Sequence, residues 1–167
     1  MTFNNIDGDY AEFGCHGAFT FRMAWSASRL FGHGLHLWGF DSFEGLPEQA
    51  DARDDHPRWQ AGSLATAEAR FHELCAEAEM GPRDYSVVTG YYSTTLVAGA
   101  PGPRPETVAF DDYYCYAPSG PSGERLAAKE HFAASAWVLV PYIQYGWHRM
   151  SFVVERREGG LVTNVGW

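Results

Sequence analysis

The sequence predicts an α/β fold in a single domain spanning residues 1–167, with a mostly parallel sheet and an antiparallel C-terminal strand. Three observations carry that prediction. Short apolar runs alternate with amphipathic helical stretches as far as Ala136, the pattern of strands joined by helical crossovers. An acidic, Gly- and Pro-bearing turn, Gly39 to Pro47 (GFDSFEGLP), follows directly on the second apolar run. The last runs, rich in Val, Tyr, Phe and Trp, have the spacing of a hairpin across Gln144 to Trp147.

In order, the first strand is expected over Asp9 to Phe13, leading into a turn that contains Gly14 and Gly17. A helix over Ala18 to Leu30 would bury Phe21, Met23, Ala24, Ala27, Leu30 and Phe31, and Gly32 and Gly34 would end it. The second strand, His36 to Phe40, delivers Asp41 at its tip. In a nucleoside-binding sheet the carboxyl ends of the strands open into a crevice, and a carboxylate at the end of the second strand accepts bonds from the ribose hydroxyls. Asp41 is the candidate for that role. Gly14 and Gly17 would let backbone approach the ligand, with the free amides of the helix that begins near Ala18 aimed at it.

A long polar loop, Glu48 to Gly62, comes next, and its Asp54, Asp55 and His56 read as a solvated turn. A helix is expected over Leu64 to Met80, with Ala67, Phe71, Leu74, Cys75 and Ala78 on its apolar side, then a strand over Tyr85 to Thr89 entering the turn GYYSTT. The stretch Gly99 to Glu106 is too rich in Pro and Gly for helix or inner strand. A short strand, Thr107 to Phe110, brings Asp111 and Asp112 to its end, and the loop Tyr113 to Gly123 leads into a helix over Glu124 to Ala136. Strands over Trp137 to Ile143 and His148 to Glu155 close the chain. Two adjacent carboxylates at a strand end repel one another unless a cation or hydrogen-bond donors compensate, and an oxygen-rich pair suits Mg²⁺; the same pair also serves as a turn and helix cap.

A net charge of −9, with 12 scattered basic residues, argues against a nucleic-acid partner. No basic head with an apolar run opens the chain, and no apolar segment approaches the roughly 20 residues that span a bilayer. Cys15, Cys75 and Cys115 match neither a disulfide framework nor a zinc site. These features together lead us to expect a cytoplasmic protein with free thiols.

The segments Gly8 to Gly14 (GDYAEFG), Gly39 to Pro47, Val87 to Leu96 (VVTGYYSTTL), Phe110 to Tyr114 (FDDYY) and Val140 to Val154 (VPYIQYGWHRMSFVV) resemble, in the same order, the TylF-like or macrocin O-methyltransferase family. These are class I methyltransferases that use S-adenosylmethionine. The resemblance implies a Rossmann-like methyltransferase three-layer sandwich. It implies that Glu12 and Gly14 line the methionine end of the cofactor and that Asp41 and Ser42 hold its ribose. It further implies that Asp111 and Asp112 bind Mg²⁺, with Asp111 in the catalytic role. The acceptor it implies is a hydroxyl of a sugar moiety or related small natural product.

Members also carry a strand ending in DxDLYxxT, followed by a helix, before the acidic pair. Between Leu96 and Asp111 there is room for only one short strand, and no such motif occurs, so the fold is expected to be shortened by one central strand-helix unit. Thr94 stands where the family commonly has an acidic residue. Two further readings follow: an impaired homologue that binds the cofactor or serves as a scaffold, and a dehydrogenase. Against the latter, the run Gly14-Cys15-His16-Gly17-Ala18-Phe19 lacks the third small residue of a dinucleotide fingerprint. The aromatic C-terminal strands fit either the core or another subunit, so a homo-oligomer stays open.

Overall fold

The computed structural model describes residues 8–48, 60–95, 107–110, 123–133, 136–145 and 149–156. The chain divides into two compact units, Met1–Arg104 and Pro105–Trp167. In the first, β1 (Tyr10–Phe13), β2 (Leu37–Asp41) and β3 (Tyr85–Thr89) form a parallel sheet in the order β1-β2-β3. A 3-10 turn, His16–Ala18, leads into α1 (Phe19–Leu30), and α2 (Glu68–Glu77) precedes β3. A single helical turn, α3 (Tyr92–Thr95), follows it where the sequence reads as a turn.

Both longer helices cover the same face of this sheet. Phe21 of α1 and Phe71 of α2 are fully buried with ring centroids 5.2 Å apart, and Tyr85 of β3 meets both. Burying rings of this size stabilises the fold by about 1.5–3 kcal/mol each. Gly39 lies beneath them: a Cβ there would sit 3.2 Å from Cys15 Sγ and 3.5 Å from Phe71, so the second strand needs a residue without a side chain at this point.

The buried stripe of α1 is Phe21, Trp25 and Ser28, not the broader face expected from the apolar residues alone. Met23, Leu30 and Phe31 are exposed, because the i, i+4, i+7 stripe through Phe21 sets the phase. Trp25 enters the core because its Nε1–H donates to Ala78 O at 3.1 Å, and Ser28 because its hydroxyl donates to Trp25 O at 2.8 Å. The α2 helix is shorter than the expected Leu64 to Met80. Leu64 has φ of 63° and Glu79 φ of 61°, so the residues at each end make turns instead.

In the second unit β4 (Thr107–Phe110), β5 (Trp137–Tyr145) and β6 (Arg149–Arg156) form an antiparallel sheet in the order β4-β6-β5. The expected β5–β6 hairpin is present, while β4 runs antiparallel to β6. Pro141 is tolerated because β5 is an edge strand, and the pairing shifts by one residue between Pro141 and Ile143. The helix α4 (Gly123–Ala133) supplies Ala128 to a core with Leu139, Met150 and Phe152. The architecture is thus mixed α/β, and among the described residues no helix is long and apolar enough to cross a membrane.

Candidate functional site

Because β1, β2 and β3 are parallel, their carboxyl ends all open on one edge, and the turns that follow them meet there. Asp41 joins two of these turns. Its Oδ2 accepts from the Cys15 amide at 2.6 Å and its Oδ1 from the Phe43 amide at 2.7 Å, while its carbonyl accepts from Gly90 N–H at 2.9 Å. Each carboxylate oxygen therefore holds one backbone donor and keeps a second lone pair. Gly14, with φ of 84°, begins the first turn and its amide donates to Phe40 O at 2.9 Å.

Glu12 lies on the helix-covered face. Tyr10 Oη donates to its Oε2 at 2.7 Å and Thr20 Oγ1 to its Oε1 at 2.9 Å. Burial raises the Glu12 carboxyl above its ordinary value and the Asp41 charge adds to this, while the two hydroxyl donors oppose the rise. Two carboxylates thus stand at the ends of neighbouring strands, one tied to backbone and one to side chains. Ser42 uses its hydroxyl within its own turn, donating to Gly45 O at 3.0 Å and accepting from Glu44 N–H at 3.2 Å. Beside it, desolvation first and the Glu44 carboxylate second push the Tyr91 hydroxyl up.

Four amides of the turn that precedes α1 have internal acceptors. Gly14 bonds Phe40 O, Cys15 bonds Asp41, Gly17 bonds Thr66 Oγ1 at 3.0 Å and Ala18 bonds Cys15 O at 2.7 Å. The last of the outside acceptors, Thr66, comes from the segment before α2, which folds against the turn: His16 Nδ1 is 2.7 Å from Leu64 O and 3.2 Å from Thr66 Oγ1. The same segment closes the long loop at its neck, where Leu46 N–H donates to Ser63 O and Gly62 N–H to Leu46 O.

Cys15 is buried beneath Asp41, and burial, with the charges of Glu12 and Asp41, drives its thiol well above the ordinary range. Burial likewise lifts Cys75 to about 11, so neither thiol is a nucleophile at neutral pH.

The structure thus brings Glu12, Gly14, Asp41 and Ser42 to one sheet edge. Asp111 and Asp112 lie outside the described residues, as do Asp54, Asp55, His56 and Cys115. Among the described residues no group of three or more His, Cys, Asp or Glu side chains is placed to hold a metal ion. Sequence reading missed Tyr10, Thr20 and Thr66 as partners of this edge. The Tyr10–Glu12 pair was legible from the two-residue period of a strand, whereas Thr66 reaches the turn only through the fold. No protein-family model and no curated protein matches the chain.

Proposed function

We propose that this protein is an S-adenosylmethionine-dependent O-methyltransferase acting on a hydroxyl of a sugar or related small metabolite. The observation that carries the reading is the Asp41 carboxylate at the tip of β2, held by amides of the β1 and β2 turns in a mouth whose described residues include no Lys or Arg. Segments 12–20, 39–48, 60–66 and 89–95 contain Glu12, Asp41, Glu44 and Glu48 and no Lys or Arg. A pyrophosphate ligand needs free amides or basic side chains. Here the amides of the first turn are largely engaged and the side chains are acidic, which disfavours a dinucleotide. A nucleoside carrying a sulfonium cation is the complementary ligand.

When bound, the cofactor supplies an activated methyl group. The roles of the chain are then to hold and orient. The remaining lone pairs of Asp41 accept from the ribose hydroxyls, Glu12 adds negative potential for the cationic end, and Gly14 admits the ligand close to backbone. The resemblance adds Asp111 and Asp112 as the Mg²⁺ pair and Asp111 as the catalytic group. It also adds the three-layer sandwich lacking one strand-helix unit. What supports the sandwich is the order of the strands in the chain: a parallel set, β1 to β3, precedes an antiparallel set, β4 to β6. The unit boundary, Arg104 to Pro105, falls where the missing segment would come.

The absence of a DxDLY segment favours a second reading, a homologue that binds the cofactor without transferring its methyl group. Calorimetric titration with S-adenosylhomocysteine tests the first part. The wild-type protein is expected to bind it and to ignore NADH, and Asp41→Asn to bind about tenfold to a hundredfold more weakly while keeping its circular dichroism spectrum. A folded wild-type protein that takes up no S-adenosylhomocysteine would sink both readings. Binding without transfer to any member of a panel of glycosides would leave the second.

A further inference from the structure

A second polar cluster lies where α2 meets β3. His72 and Glu68 stand one turn apart on α2, with 44% and 43% of their side chains exposed. Each is held from behind by a residue of β3. His72 Nδ1 is 2.7 Å from Tyr85 Oη, and Glu68 Oε2 accepts from Thr89 Oγ1 at 2.8 Å. The two atoms that face one another, His72 Nε2 and Glu68 Oε1, stay 3.6 Å apart. Arg70 on the same helix is engaged elsewhere, by Glu73 at 2.9 Å and Glu77 at 3.0 Å.

A direct hydrogen bond would draw the facing atoms to about 2.9 Å, and the gap of 3.6 Å is too long for one. It matches a shared ion instead: two ligands about 2.1 Å from one metal, at the tetrahedral angle, stand about 3.4 Å from each other. The bonds behind the pair also direct its lone pairs. The Tyr85 hydroxyl bonds the Cys75 sulfur as well. With its hydrogen turned to the sulfur, its oxygen accepts from His72 Nδ1–H, which leaves the imidazole lone pair on Nε2. Metal-bound imidazoles and carboxylates are oriented in this way, each by a partner on the atom that does not touch the ion. We infer that His72 Nε2 and Glu68 Oε1 form a site for a borderline divalent cation of the Zn²⁺ class, with water in the remaining positions. One imidazole nitrogen and one carboxylate oxygen suit such an ion and not Mg²⁺, which takes oxygen ligands. The site is independent of the methyltransferase reading, since it uses no residue of the Asp41 mouth.

The test is calorimetric titration of wild-type, His72→Ala, Glu68→Gln and Thr89→Val proteins with ZnCl₂ and with MgCl₂, each variant checked by thermal unfolding without metal. Carbethoxylation of His72, read by mass spectrometry, separates this site from any other zinc ligand in the chain. Zn²⁺ is expected to protect His72 of the wild type, and Mg²⁺ at the same concentration to leave it reactive. His72→Ala and Glu68→Gln are expected to weaken zinc binding by at least tenfold, and Thr89→Val by about tenfold, because Glu68 then loses the donor that orients it. Folded His72→Ala and Glu68→Gln proteins that bind Zn²⁺ as the wild type does would overturn the site. So would a wild-type His72 that stays fully reactive in saturating Zn²⁺. Equal protection by Mg²⁺ would overturn the assignment of the ion.

Discussion

The two sheets of this protein use similar residues to different ends. In the parallel β1-β2-β3 sheet every strand delivers its carboxyl end to the same edge, so Glu12, Gly14, Asp41, Ser42 and Gly90 arrive within hydrogen-bonding reach of one another's turns. In the antiparallel β4-β6-β5 sheet neighbouring strands run oppositely, and side chains at successive strand ends are carried to opposite edges. The cores differ as well. The first is built on Phe21, Phe71, Leu37 and Cys75 with Tyr10 and Tyr85 packed against them; the second on Ala128, Leu139, Met150 and Phe152. A polar site thus follows from strand direction, and the aromatic core beneath it holds the turns in place.

The largest expected effect compares the two cores. Phe71 contacts Phe21, Phe43, His72 and Tyr85, so Phe71→Ala removes a ring from an aromatic cluster and is expected to cost about 3–5 kcal/mol. That corresponds to roughly 10 °C in melting temperature. Phe152→Ala, in the smaller cluster, is expected to cost less. Denaturant titration of both variants checks the order, and an equal or greater loss for Phe152→Ala would show that the aromatic cluster is not the stronger of the two.

A smaller effect separates the neck of the long loop from an open turn. Gly45 has φ of 84°, and a Cβ there would stand 2.5 Å from Ser63 O and 2.7 Å from Gly62. Gly62 also has a positive φ, 76°, but a Cβ on it would meet nothing within 4 Å. Gly62→Ala is therefore expected to cost about 1–2 kcal/mol through backbone conformation alone, and Gly45→Ala clearly more. Comparable melting temperatures for the two would mean that the neck is looser than its hydrogen bonds imply.

The smallest effect concerns the two carboxylates of the site. Glu12 has a folded-state pKa raised above its ordinary 4.5 by burial, so between the two values the folded protein holds more protons than the unfolded chain. Its contribution to stability is then most favourable below pH 4.5 and is lost as pH rises through the folded pKa. Glu12→Gln removes that titration. The melting temperature of the variant minus that of the wild type is expected to increase from pH 4 to pH 7. A difference that falls over this range would mean that the Tyr10 and Thr20 hydroxyls outweigh burial.

Much of the fold was legible because its signals are local. The strands at Tyr85–Thr89 and Thr107–Phe110 and the closing hairpin follow from β-branched and aromatic runs bounded by turn residues. Asp41 was legible as the residue at the tip of β2 because a polar, Gly- and Pro-bearing turn follows directly on the apolar run. The phase of α1 was not legible: Met23, Leu30 and Phe31 are as apolar as Phe21, and only the position of α2 and Ala78 selects the stripe that carries Trp25. The state of the first turn was not legible either, since Thr66 lies 49 residues from the Gly17 amide it accepts from.

The sequence alone therefore determined the identity and order of the elements, the acidic character of the mouth and the glycines that its turns need. These are properties of neighbouring residues, set by side-chain period and backbone conformation. The tertiary structure decided which face of α1 is buried, which amides of the first turn have internal acceptors and which rings meet in the core. Each of these depends on hydrogen bonds and ring contacts between segments far apart in the chain, and their geometry is fixed only when the sheet and helices pack.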